Sequence, residues 1–509
     1  MKEWFKHSRG SLYALTNLAA LIAMLIGWST SPAPGSLLVY VVLLFALCSM
    51  PLLWLEQING RYALLAIFMG VYFLLFGAVD LRDLITGATP MIDRGDSFTL
   101  AQIGVLLGGA TLVGGYRLAA ELSSPKSAAS GAADWPTAWI LVTGVGFFVT
   151  GTGAMAYLNL VAITENSIRA TEHGFAAMGP LLTFAVMLGQ MVQPLGVVIL
   201  AYGFARARTF SWALLIAAVV LAQMVLGFLT DTKGTILLPL VLVAVTVSMR
   251  QGRISKGWIV GVVLFATLLF PVLQANRVVR NEHGWNRAQA IENIATVVEE
   301  AFEARDKIYQ TRAGERSQTF LERTSGDAVL ETLFNRVTES GSYLNGATVT
   351  PLVYAFIPRL ILPQKVDVPL GQLFNRTFMH GSKDDFLYLS VSILGELYWN
   401  FGWTGVLLGN FLVGCLLGLT GVKTDLSKTP TLTRMLILLL TIKLVVLGYG
   451  DSISMAFVTW MRCLAAIGLM HAFFARPSQA QEPSDSGSTA MGAAAPVTAA
   501  GVRFPNLMR

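Results

Sequence analysis

Long apolar runs broken by short polar turns set the rhythm of this chain from its first residues to about Phe474. At a helical rise of about 1.5 Å per residue, runs of this length approach the ~30 Å hydrocarbon thickness of a bilayer. A backbone in lipid must satisfy its own hydrogen bonds, and a helix does so within one segment. The pattern therefore predicts an all-α, polytopic membrane protein of about twelve transmembrane helices. The runs fall at 11–28, 36–55, 62–79, 99–116, 137–158, 179–204, 210–229, 234–249, 257–275, 402–421, 433–449 and 453–474. The first follows Lys2, Lys6 and Arg9, with no small-residue cleavage site behind it, and reads as a retained signal-anchor helix.

Basic residues orient the runs. Lys2 to Arg9, Arg61, Arg117 with Lys126, Arg206 with Arg208, and Arg250, Arg253 and Lys256 fall on alternate turns, as do Lys423, Lys428, Arg434 and Arg476. The positive-inside bias places these turns and both termini in the cytoplasm. The same threading divides the chain into four parts. Transmembrane helices 1–9 occupy 1–275, a large periplasmic loop 276–401 and transmembrane helices 10–12 residues 402–476, and an Ala-, Ser-, Pro- and Gly-rich tail at 477–509 is expected to be disordered. Within the loop, Ile291, Ile294, Val298 and Phe302 recur at helical spacing, as do Val329, Leu330, Leu333, Phe334 and Val337. Pro351 to Leu362 is apolar, too short to span and interrupted by Pro358, which suits a re-entrant or interfacial segment.

Composition agrees with the pattern: 54% of residues are hydrophobic and 13% charged, about half the charged share of a soluble domain. The net charge of +6 sits mainly at helix ends, so membrane lipids are expected partners and nucleic acid is not. Cys48, Cys415 and Cys463 all lie in apolar segments, with neither a disulfide framework nor a metal-ligand spacing. No metal and no cofactor is expected.

Ionisable groups near membrane depth are costly and so are candidates for function. Lys233, in the turn Thr230 to Gly234, could offer its ammonium to a phosphate, or snorkel from a hairpin with Asp231 as partner. Arg277, Arg280 and His283 follow the ninth run, and the spacing of the two arginines puts them on one face of an extended helix. Such a rim suits pyrophosphate, because guanidinium stays charged and offers forked donors, and it equally suits interfacial anchoring. Glu396 is the best-placed carboxylate to serve as a base, with a strut or cap at the start of the tenth helix as its plainer role. Asp451 could line the same cavity but better fits an N-cap of the final helix. Arg336 is either a further substrate contact or a solvated loop arginine. Tyr343, Tyr354, Tyr398 and Trp399 could stack on sugar faces or belong to an interfacial aromatic belt.

The most informative stretch runs from Gly341 to Gly405. It contains Gly341-Ser342-Tyr343-Leu344-Asn345-Gly346, Phe356-Ile357-Pro358-Arg359, Pro363-Gln364-Lys365 and Leu394-Gly395-Glu396-Leu397-Tyr398-Trp399-Asn400-Phe401-Gly402. Here the chain resembles the Wzy-type O-antigen and exopolysaccharide polymerases, which carry a Pro-Arg then Lys-Pro segment and a Gly-Glu-x-Tyr-x-Asn-Phe-Gly lead into the next helix. Asp231-Thr232-Lys233-Gly234 is similar to that family's turn. Two features depart from its pattern: Lys365 is followed by Val366, with proline only at Pro369, and the spacing from Arg359 to Gly371 is one place too long.

The resemblance implies a GT-C-like membrane glycosyltransferase acting on glycans linked to polyprenyl pyrophosphate, with a chain-length regulator as a possible partner. It implies Arg359, Glu396 and Arg280 as catalytic groups, and Lys233, Arg277, Arg336, Lys365, Tyr343 and Tyr398 as substrate contacts. Departure of pyrophosphate requires charge stabilisation, and attack by a sugar hydroxyl requires a base or hydrogen bond. An O-antigen ligase shares the topology and leaving group, and an exporter or flippase of lipid-linked glycans would bind the same head group without cleaving it.

Overall fold

The computed structural model describes residues 2–30, 35–53, 61–86, 98–123, 134–157, 180–229, 233–251, 326–354, 370–379, 390–424 and 431–474, with isolated positions at 357 and between 279 and 300. Among these residues the chain is helical, without a strand. The helices are α1 (Lys2–Thr30), α2 (Gly35–Ser49), α3 (Ala63–Phe76), α4 (Ala78–Thr86), α5 (Leu100–Leu122), α6 (Thr137–Tyr157), α7 (Pro180–Ala207), α8 (Phe210–Leu229), α9 (Lys233–Gln251), α10 (Asp327–Ser340), α11 (Leu370–Phe378), α12 (Ser392–Thr404), α13 (Asn410–Lys423), α14 (Leu432–Thr441) and α15 (Ile453–Phe474).

Six helical segments are long and apolar enough to cross a membrane, and a seventh is the α3–α4 pair, bent by 53°. The architecture is that of a helical membrane protein. The six match the expected spans beginning at 99, 137, 210, 402, 433 and 453, and the bent pair matches the third. The first, second, sixth and eighth expected spans coincide with shorter apolar helices, Tyr13–Ser29, Gly35–Ser49, Met191–Ala207 and Leu238–Arg250. The ninth, 257–275, lies outside the described residues.

One boundary moves by ten residues. The helix expected to begin at Gly402 begins at Ser392 and continues to Lys423. Gly402 is expected to open the span, yet it lies inside the helix, where its φ of 62° and ψ of −145° only introduce a kink before the π turn at Gly405–Gly409. A 32-residue helix is about 48 Å long, against a hydrocarbon layer of ~30 Å.

Local chemistry fixes the helix ends and close contacts. Thr99 accepts the Gln102 backbone N–H at 3.2 Å while the Gln102 side chain accepts the Thr99 N–H at 3.1 Å, a reciprocal cap that starts α5. Gly115, Gly414 and Gly418 let the backbones of α5 and α13 meet, because a Cβ at any of them would fall on the carbonyl of Phe411, Leu112 or Tyr116. This spine anchors one apolar core, built by α2, α3, α5, α10 to α13 and the start of α15. A second core joins α6 to α9 with α14 and α15. Met249, Ile442 and Leu444 pack against both.

The π turn at Gly405–Gly409 is answered by a side chain. Asn410 Nδ2 donates to the Val406 carbonyl at 2.8 Å, and the Tyr449 hydroxyl donates to Asn410 Oδ1. Both partners are fully buried, and the Tyr449 ring lies among Phe68, Tyr72 and Phe76. Tyr449→Phe keeps the packing and orphans the amide oxygen. We expect a loss of roughly 1–3 kcal/mol, read as a lower midpoint in thermal unfolding of the detergent-solubilised protein.

Candidate functional site

Two described parts of the stretch singled out in the sequence, 341–348 and 392–402, meet in a buried polar cluster. Ser392 adopts a left-handed φ of 63°, and its Oγ accepts the Gly395 N–H at 3.2 Å, which caps the first turn of α12. This sets the register of Glu396 and Asn400, four residues apart and hence on one helix face. Glu396 is 0% exposed, and its Oε2 accepts the N–H of Ile453 at 2.6 Å. That N–H is the first of α15, one of the donors a helix leaves unsatisfied at its positive end. Asn400 Nδ2 donates to the Glu396 carbonyl at 2.8 Å and to Thr348 Oγ1 at 2.7 Å. Thr348 also borders the Glu396 carboxyl. Glu396 Oε1 and Asn400 Oδ1 nonetheless have no partner of hydrogen-bonding geometry among the described residues.

Thr348 belongs to a strap, 341–352, that follows α10 and lies along α12. The strap turns at Asn345 and Gly346, whose φ values of 50° and 85° give two successive left-handed residues, and Ala347 N–H closes the turn on Leu344 O at 3.0 Å. Asn-Gly suits this geometry because neither residue resists positive φ strongly. Leu344 N–H then donates to Trp399 O at 2.9 Å, which ties the strap to the helix. Tyr343 is 40% exposed and packs beside Gly402, where a Cβ would approach its ring to 3.3 Å.

The expected site residues separate into three groups. Glu396, Tyr343 and Tyr398 come together here. Tyr398 is 1% exposed, stacked on Phe334 with its hydroxyl 2.7 Å from that of Thr338, so its ring is covered by protein. Trp399 is likewise buried, against Phe374 and Phe378. Tyr354 is half-buried nearby in sequence. Arg336 stays apart on the exposed face of α10, 3.7 Å from Glu339. Lys233 is the first residue of α9, with its side chain outside the described set, and Arg277, Arg280, Arg359 and Lys365 lie wholly outside it. His283 pairs with Glu300 at 2.8 Å.

Two roles change hands. The carboxylate bonded to the start of the final helix is Glu396, reaching across from α12, whereas Asp451 is exposed and contributes a backbone N–H to Gly448 O. A general base must reach the substrate hydroxyl, whereas Glu396 is fully buried with one oxygen held by the Ile453 N–H. Sequence reasoning also passed over Lys443 and Arg462. Each is a single cation inside an apolar span, a signal strong enough to have marked them, and both lie within electrostatic reach of Cys463. Thr348, by contrast, gave no signal, because its role comes from the fold of the strap.

No group of three or more His, Cys, Asp and Glu residues is arranged to hold a metal ion among the described residues. The chain matches no family model, no curated protein and no solved structure.

Proposed function

We propose that the protein is a polymerase of lipid-linked oligosaccharides, joining repeat units carried on polyprenyl pyrophosphate at the outer face of a bacterial cytoplasmic membrane. One observation carries the reading. Two separate pieces of the resemblance, 341–346 and 394–402, meet in a single site through the Leu344–Trp399 hydrogen bond, the Tyr343–Gly402 contact and, just beyond, Thr348–Asn400. In this reading about twelve spans surround the site, both termini are cytoplasmic, and the strap belongs to a large periplasmic loop. Glu396 and Asn400 hold the strap. Tyr343 offers its exposed ring to a sugar face. Arg359 and Arg280, with Arg277, Lys365 and Lys233, supply the positive charge that stabilises departing pyrophosphate, the largest electrostatic need of the transfer. A chain-length regulator would bind the same assembly.

The test is polysaccharide length on gels from cells lacking the gene, complemented with wild type or with Arg359→Ala at matched membrane expression. We expect single repeat units on their acceptor in the deletion strain, a restored ladder with wild type, and no ladder with Arg359→Ala. Long polymer in the deletion strain would rule the polymerase out. Polymer that remains on its lipid carrier would favour the ligase reading, and repeat units trapped on the cytoplasmic face would favour the flippase.

A further inference from the structure

The carboxyl group of Glu396 poses a problem of charge that its described neighbours do not solve. It is 0% exposed, and no Lys, Arg or His forms an ion pair with it among the described residues. Burying an ionised carboxylate costs several kcal/mol unless charge and hydrogen bonds compensate it. The Ile453 N–H answers one of its oxygens. The second oxygen and Asn400 Oδ1, one helical turn on, are both acceptors and both unpartnered among the described residues. Thr348 Oγ1, 1% exposed, completes the cluster from the strap. Carboxylate, amide carbonyl and hydroxyl oxygens are hard donors, and two chain segments bring them together in a region closed to solvent.

We propose that Glu396, Asn400 and Thr348 form a binding site for an alkali-metal cation, sodium or potassium. A single carboxylate matches a single positive charge, so a monovalent ion leaves the buried site neutral, whereas a divalent ion would leave it positive. The ion also supplies what both orphaned oxygens lack. It joins the strap to α12 and, through the other carboxylate oxygen, to the start of α15. A bound cation therefore stabilises the contact among three segments that are far apart in sequence. The assignment does not depend on the polymerase reading.

The experiment is thermal unfolding of the purified full-length protein in nanodiscs, in choline chloride, sodium chloride and potassium chloride at equal ionic strength. Wild type is expected to unfold a few degrees higher in sodium or potassium than in choline, with a midpoint that rises with cation concentration until the site is saturated. Glu396→Gln, Asn400→Ala and Thr348→Val are expected to lose that dependence. If Glu396→Gln does not fold, the other two variants decide. Equal midpoints in all three salts overturn the proposal. A cation effect that survives in the variants also overturns it, because the ion then binds elsewhere. A wild-type midpoint that follows pH but not cation identity assigns the site to a proton and overturns it as well.

Discussion

Gly115→Leu is expected to abolish recovery of folded protein, while Gly114→Leu, its immediate neighbour, is expected to leave recovery unchanged. At Gly115 even a Cβ would fall on the Phe411 carbonyl, whereas around Gly114 nothing lies within 4 Å. Overpacking is tolerable when the obstruction is the far end of a flexible side chain. Here it is the backbone of another helix, so α5 and α13 must separate along their length. The spine also supports the site: Gly108 of α5 lies against Leu394 and Asn410, and Gly104 against Phe334. A loss above about 3 kcal/mol is expected, at the top of the overpacking range, because the change propagates through a shared core. At position 114 the leucine side chain has space, and leucine forms helix better than glycine. Fluorescence-detected size exclusion of detergent-solubilised fusions reads the difference as a monodisperse peak against a void-volume peak. A monodisperse Gly115→Leu peak at wild-type yield would show that the spine is not a close backbone contact.

The second large effect separates two substitutions at one position. Glu396→Ala removes the acceptor for Ile453 N–H and leaves space in a fully buried site, so a loss of about 3 kcal/mol is expected. Glu396→Gln is expected to stay within about 1 kcal/mol of wild type in cation-free buffer. Its amide oxygen can accept from the Ile453 N–H, so the hydrogen bond is kept and no charge is buried. Thermal unfolding of the three proteins side by side measures both. Equal losses in the alanine and glutamine variants would mean that ionised charge, rather than hydrogen bonding, holds the start of α15.

Apolar length made the helices legible in the sequence, and it was least reliable where composition and geometry diverge. Gly402 stands where the span is expected to open, but positive φ at this one residue kinks the helix without ending it, and the π turn at Gly405–Gly409 carries it on. At Gly77 the opposite happens: an uninterrupted apolar run hides a 53° bend between α3 and α4. Glu396 stood out because a carboxylate beside apolar and aromatic residues is conspicuous, and its strut role was readable. Its partner was not, since Ile453 contributes only a backbone N–H that every residue type but proline carries. Thr348 was invisible for the same reason, being an ordinary threonine until the Asn345-Gly346 turn delivers it to Asn400. Arg359, Lys365, Arg277 and Arg280 rest on the resemblance and on charge, with no geometry added.

The hydrogen bonds that complete α12 and α13 come from later in the chain. Glu396 meets Ile453 fifty-seven residues on, and Asn410 meets Tyr449 thirty-nine residues on. As the polypeptide emerges from the ribosome, this helix reaches the bilayer with a carboxylate and an amide whose partners have not yet been made. Its final seating must therefore wait for the last hairpin. A nascent chain cut short before α15 would hold this helix with its Glu396 carboxyl unanswered, an unfinished state exposed to the membrane's quality-control proteases.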